Sequence, residues 1–240
     1  MTIKPQFSRT AMLLGGDAVE RLAASRVAVF GLGGVGGALC EALARAGVGH
    51  LTLIDGDTVS VTNINRQIIA THSTVGMLKT EAMRARILDI NPDCRVDIHS
   101  VFYSPDNADI IDYSAYDYIA DAIDTVTSKL LIIQRAEAAG TPVISAMGTG
   151  NKTDPSRLTV TDISKTDMCP LARVMRRELR ARGINHLKVV FSREMARTPD
   201  PAYCPEAKDA RRLPPGTLST VPNVAGLMMA SEIIKYITNA

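Results

Sequence analysis

Gly31-Leu-Gly-Gly-Val-Gly36 is the segment of this chain with the clearest chemical meaning. It follows a short apolar run, 26–30, and opens a helical pattern over 35–46. Glycines at such a junction let the backbone approach phosphates closely, and a helix N-terminus adds free N–H groups and a positive dipole end. Gly31, Gly33, Gly34 and Gly36 are the candidate cradle. Asp55 closes the next apolar run, 19 residues after Gly36. A carboxylate placed there can accept the hydroxyls of a ribose. A tight turn without a ligand is the bland alternative. Strand, loop, helix and acid together point to a bound nucleotide.

Asp55-Gly-Asp57 leads into Asn63-Ile-Asn65-Arg66-Gln67 and then to Lys79. One guanidinium and one ammonium downstream of the ribose acid can neutralise the β- and γ-phosphates of a triphosphate. Asp124 ends a later apolar run, 118–124, and so faces the same crevice as the glycine loop. A hard carboxylate oxygen there suits Mg²⁺. Taken singly, Arg66 and Lys79 read as solvated surface charges and Asp124 as a helix cap. Together they favour ATP over NAD, because a dehydrogenase needs no further cations at the phosphates.

The elements that must position these residues alternate along the first 150 residues, which predicts a parallel sheet. Strands are expected over 26–30, 51–55, 95–101, 118–124 and 142–145, and helices over 35–46, 79–90 and 129–139. Gly47 is a suitable left-handed cap for the first helix, and Asn91-Pro92 stops the second. Beyond 150 the pattern changes. Runs 158–163 and 187–191 alternate like strands with one exposed face, and they flank a helix over about 171–182. Residues 193–216 hold five prolines and no period, which predicts a long loop. The tail, 223–237, is an apolar-rich helix with Pro222 in its first turn. The expected class is α/β: a Rossmann-like, mostly parallel sheet flanked by helices, extended by a strand–helix–strand unit. Residues 1–240 then form one domain, with a nucleotide-binding half at 1–150 and a second half at 151–240.

Composition narrows the setting. With 46% hydrophobic and 22% charged residues, the 240-residue chain can bury a full core, which excludes disorder. No apolar stretch approaches the length of a membrane span, and residues 1–10 lack a signal-peptide core. Cysteines stand at 40, 94, 169 and 204 without any Cys-x-x-Cys pair. That spacing argues against a disulfide framework or a zinc site and for a cytoplasmic, reducing setting. The net charge of +2 hides a division. Residues 151–240 carry 15 basic against 9 acidic side chains, leaving 12 against 16 for residues 1–150. An anionic partner would favour the second half. Arg173, Arg176, Arg177 and Arg180 fall on one helical stripe there, opposite Leu171, Val174, Met175 and Leu179. A solvated face is the plain reading of that stripe, and contact with nucleic-acid phosphates the sharper one. Cys204 reads as an exposed bystander or as a sulfur-bearing thiol. The four histidines show no ligand spacing, and no Ser-His-Asp or Cys-His arrangement stands out.

The glycine loop, Leu53-Ile-Asp55-Gly-Asp57 and Asn63-Ile-Asn-Arg-Gln67 resemble the ubiquitin-activating-type, ThiF/MoeB-like adenylyltransferases. Val75-Gly-Met-Leu-Lys79 and Asp121-Ala-Ile-Asp124 extend the likeness, which covers most of residues 8–147. The resemblance implies an enzyme that transfers AMP from ATP to a carboxylate. It implies Asp55 at the ribose, Asn63, Arg66 and Lys79 at the phosphates and Asp124 on Mg²⁺, with Asp57, Asn65 and Thr125 completing the ATP-binding set. It also implies a homodimer in which Arg9 of Phe7-Ser-Arg9 reaches the γ-phosphate of the other subunit. Thr149-Gly-Asn-Lys-Thr-Asp154-Pro, the segment 161–171 and Lys188-Val-Val-Phe-Ser192 resemble the branch of tRNA threonylcarbamoyladenosine dehydratases. That branch implies a tRNA substrate cyclised through an acyl-adenylate, and relatives leave room for a sulfur-relay partner. The rivals are activation of a ubiquitin-like sulfur carrier and a non-catalytic nucleotide-binding scaffold. Residues 193–240 depart from the branch by being shorter and proline-rich.

Overall fold

The structure, a computed structural model, describes residues 3–203 and 214–240. Cys204 lies outside the described residues. Two helices, α1 (Ser8–Leu14) and α2 (Gly16–Ala24), lead into strand β1 (Arg26–Phe30). There follow α3 (Gly34–Ala46), β2 (His50–Ile54), α4 (Lys79–Ile90), β3 (Arg95–His99), β4 (Tyr118–Asp121), α5 (Val126–Ala139) and β5 (Val143–Ala146). The second half adds β6 (Leu158–Asp162), α6 (Pro170–Arg180), β7 (Lys188–Ser192) and α7 (Thr220–Thr238). One seven-stranded sheet runs in the order β3-β2-β1-β4-β5-β7-β6. Every neighbouring pair is parallel except β6 with β7, which is antiparallel. The expected α/β class and the strand–helix–strand extension are both present.

The central strands are apolar because helices cover both sheet faces, as parallel sheets require. All of β2 and all but the first residue of β1 are buried. On one face, Val221, Ala225, Met229 and Ile233 make an i, i+4 stripe along α7 that joins Val35, Leu39 and Leu43 of α3 in the main core. Truncating one of these leucines to Ala should cost about 2–5 kcal/mol, the usual range for opening a core cavity. On the other face, Ala172, Met175 and Leu179 of α6 pack with Leu130 and Ile133 of α5. Gly47 ends α3 at φ +100°, the left-handed cap expected from its place in the sequence.

The structure corrects four expectations. The strand expected over 118–124 ends at Asp121. There the Asp121 carboxylate accepts the Ile123 N–H at 3.2 Å and turns the chain out of the sheet. Asp124 therefore lies in a loop and not at a strand end, and α5 begins at Val126, earlier than the expected 129. Strand β7 is an inner strand, buried from Val189 to Ser192 between β5 and β6, so the exposed face expected from its alternation is absent. Finally, α1 and α2 precede the sheet where sequence periodicity assigned no element.

Candidate active site

Strand β1 pairs with β2 on one side and β4 on the other, so connections leave it in opposite directions. In open α/β sheets that divergence makes a crevice at the carboxyl ends of the strands, where ligands bind. The glycine loop lies there. Gly31 stands at φ +87°, and a Cβ on it would fall 2.8 Å from the Ala122 carbonyl oxygen. A Cβ on Gly36 would fall 1.8 Å from the Gly31 carbonyl. Only glycine closes the loop this tightly against the segment after β4 and leaves the α3 N-terminus open.

Asp55, just past β2, is tied to that loop. Its Oδ2 accepts the Leu32 N–H at 2.6 Å, and its Oδ1 accepts the Asp57 N–H at 2.8 Å. Each oxygen keeps a lone pair for a further donor. The chain then leaves the sheet and returns through a bridge between Thr58 and Leu78, which brings Asp57 beside Lys79. The buried Lys79 ammonium donates to Asp57 Oδ2 at 2.7 Å. Among the described residues this engages one of its three protons and leaves two. Asn63 is buried, and its Oδ1 accepts the Ser60 N–H at 3.1 Å, closing a capping box on a single 3₁₀ turn. From that turn the half-buried Arg66 donates through Nη1 to the Thr62 carbonyl at 2.8 Å and to Asn65 Oδ1 at 3.0 Å. Asn65 in turn donates to the Thr217 carbonyl at 3.0 Å, tying this turn to the segment before α7.

Asp124 and Thr125 are exposed beyond β4. Thr125, not Asp124, is the N-cap of α5, and its side chain makes no capping hydrogen bond. The helix-cap alternative for Asp124 is therefore removed. Among the described residues its one polar contact is the Thr125 hydroxyl, which donates at 3.4 Å. A carboxylate committed to so little, in a loop braced by the glycine loop, offers the hard oxygen that Mg²⁺ prefers. Among the described residues no cluster of three or more metal-ligating side chains occurs.

Arg9, expected at the site of a second subunit, and Arg176, expected on the phosphate-facing stripe, both lie away from this crevice. Arg9 is exposed on α1, two residues after Phe7, whose ring packs against Gly47 at the far end of α3. Thirteen helical residues span roughly 20 Å, which puts Arg9 out of reach of its own glycine loop. Arg176 Nη1 donates to the Thr166 carbonyl at 2.7 Å and hydroxyl at 2.5 Å, and reaches the Ile163 carbonyl at 3.4 Å. Its guanidinium thus holds the strand–helix junction and is withdrawn from the stripe. Arg173, Arg177 and Arg180 are exposed, with Arg177 paired to Glu178 at 2.8 Å.

Three polar features at this end of the sheet have no counterpart among the sequence-based expectations. Lys129 and Asp121 form an ion pair at 2.9 Å with both side chains fully buried. Gln67 is buried beneath Gly33, and its Oε1 has no hydrogen-bond partner among the described residues. Lys152 is buried with its ammonium donating to the Gly148 carbonyl at 2.7 Å, and burial lowers its pKa. Gln67, Asp121 and Lys152 each stand inside a motif that carries the family resemblance, but none was singled out there, and Lys129 carried no signal.

A family model described as the ThiF family matches residues 7–240. The chain belongs to the ThiF family. Among members with close likeness is the tRNA threonylcarbamoyladenosine dehydratase of Bacillus subtilis, 43% identical over 95% of this chain and 93% of that protein. The crystal structure of the Escherichia coli tRNA N6-threonylcarbamoyladenosine dehydratase in complex with AMP superimposes with a TM-score of 0.88. It is 35% identical and covers 100% of this chain and 98% of that one. The same enzyme in complex with ATP gives a TM-score of 0.86 at 34% identity.

Proposed function

We propose that this protein is an ATP-dependent tRNA threonylcarbamoyladenosine dehydratase working through an acyl-adenylate. The observation that carries the reading is the likeness to enzymes of that name over 95% of this chain and 93% of the relative. The site agrees with it, because adenylation asks for phosphate donors, a charge clamp and positioning, with no protein nucleophile.

In this reading the nucleotide phosphates lie on the loop N–H groups of Gly33, Gly34 and Gly36, and Asp55 accepts the ribose hydroxyls. Arg66 and the two spare protons of Lys79 neutralise the departing pyrophosphate, while Asp57 keeps Lys79 aimed. Asn63 and Asn65 hold the turn that presents Arg66, and Thr125 presents Asp124. Mg²⁺ would bind Asp124 and supply charge stabilisation for the phosphates. The substrate carboxylate attacks the α-phosphorus, pyrophosphate leaves, and the substrate's own carbamoyl group then closes on the acyl carbon and releases AMP. Residues 1–150 serve ATP and residues 151–240 face the tRNA.

Arg9 is out of reach of the glycine loop of its own chain, so it is assigned to the site of a second copy. Met12 and Leu13, 80% and 82% exposed beside Arg9, give that copy an apolar surface to cover. Arg173, Arg177 and Arg180 are assigned to tRNA phosphates. Among the described residues no helix is long and apolar enough to cross a membrane, in keeping with a cytoplasmic tRNA substrate. The test is AMP release from ATP in the presence of tRNA that carries threonylcarbamoyladenosine. Release should require the modified tRNA, and release driven instead by a small carrier protein ending in Gly-Gly would transfer the assignment to carrier activation.

A further inference from the structure

We propose that Lys129 is a positioning residue for the metal–nucleotide site, acting through the loop that carries Asp124. The inference rests on the assignment of Asp124 to Mg²⁺. Lys129 lies on the first turn of α5, and its ammonium has no exposed surface. Its three protons meet three acceptors: Asp121 Oδ2 at 2.9 Å, the Ile123 carbonyl at 3.0 Å and the Ala146 carbonyl at 2.8 Å. Asp121 is equally committed. It accepts the Ser145 hydroxyl at 2.6 Å and the Ile123 N–H at 3.2 Å.

The two charges therefore grip Ile123 by both its N–H and its carbonyl, and Asp124 is the next residue. The preceding peptide, Ala122, is the one against which Gly31 packs. A single buried pair thus sets the glycine loop and Asp124 at a fixed separation. Stability alone is a poor reason to keep it, because an apolar pair of similar volume is often as stable or more so. Holding one peptide rigidly beside an otherwise uncommitted carboxylate is a reason.

The test uses the full-length protein and a charge-neutral double variant, Asp121→Asn with Lys129→Met, which avoids leaving an uncompensated buried ion. Calorimetry would measure ATP affinity with and without Mg²⁺. The metal-free affinity should stay within about threefold of wild type, while the tightening that Mg²⁺ brings should fall at least tenfold. The Mg²⁺ concentration for half-maximal AMP release should rise in parallel. Ser145→Ala, which removes only the hydroxyl donor to Asp121, should shift the same two readouts by about threefold, and it keeps the test alive if the double variant does not melt cooperatively. Wild-type Mg²⁺ dependence in either folded variant would overturn the proposal and leave the pair a packing feature. An Asp124→Asn control separates the two readings. If that variant also keeps normal Mg²⁺ dependence, the metal assignment fails first.

Discussion

The carboxylate of Asp55 accepts the backbone N–H of Leu32 at 2.6 Å, joining the end of β2 to the glycine loop that follows β1. The acid proposed for the ribose is thereby also a brace for the phosphate loop. Asp55→Asn keeps the size and one carbonyl acceptor but gives up the charge. Charged hydrogen bonds contribute about 1.5–3 kcal/mol, so ATP affinity should fall roughly tenfold or more. Turnover at saturating ATP should change less, since the ribose contact is shared by ground and transition states. Titration calorimetry checks the first expectation, and an unchanged affinity would remove Asp55 from the site.

Asp124→Asn should abolish most turnover with the fold intact, because its one polar contact among the described residues is a 3.4 Å hydroxyl. The loss should appear in kcat more than in the KM for ATP, as expected for a group that meets charge developing on the leaving pyrophosphate. Normal kcat in a normally melting variant would refute the assignment.

The arginine stripe divides into two kinds of residue, and the division is measurable. Replacing Arg173, Arg177 and Arg180 together by Gln should weaken tRNA binding, with ATP binding unchanged. The slope of log affinity against log salt should shrink by about one unit for each phosphate no longer neutralised. Arg176→Gln should instead cost about 1.5–3 kcal/mol of stability, because its guanidinium donates to Thr166 and Ile163. A triple variant with wild-type salt slope would place the stripe in solvent.

How much of this was legible in the sequence depends on the range of the interaction. The glycine loop, Asp55 and the order of strands and helices follow from local spacing and apolar periodicity, and the sheet is built on them. The end of β4 was misplaced by three residues, because what stops it is the Asp121 carboxylate capturing Ile123, a polar event inside an apolar run. Lys129 gave no sign, since its partners Asp121, Ile123 and Ala146 converge only when β4, α5 and β5 pack. Arg176 looked like its three neighbours on the helical stripe. Only the return of the chain from β6 gives it acceptors.

Glu194 gives the second half a pH dependence. Desolvation pushes its pKa up, but donation from the Asp154 and Thr153 N–H groups and the Thr153 hydroxyl outweighs this and holds it below the ordinary 4.5. A carboxyl depressed by folding stabilises the fold above its unfolded pKa and loses that contribution as pH falls through the folded one. Thermal melting should therefore show wild type losing stability more steeply below about pH 4.5 than Glu194→Gln does. Parallel profiles for the two proteins down to about pH 3 would contradict this.

The central claim is the reaction itself, and nucleoside mass spectrometry reads it directly. Wild-type protein is incubated with ATP, Mg²⁺ and tRNA bearing threonylcarbamoyladenosine, and the tRNA is then digested under mild conditions. The account predicts that the modified nucleoside loses the mass of one water, that AMP appears in equal amount, and that neither change occurs without ATP. An unchanged nucleoside mass alongside ATP turnover, or AMP formation that ignores the modification, would contradict it.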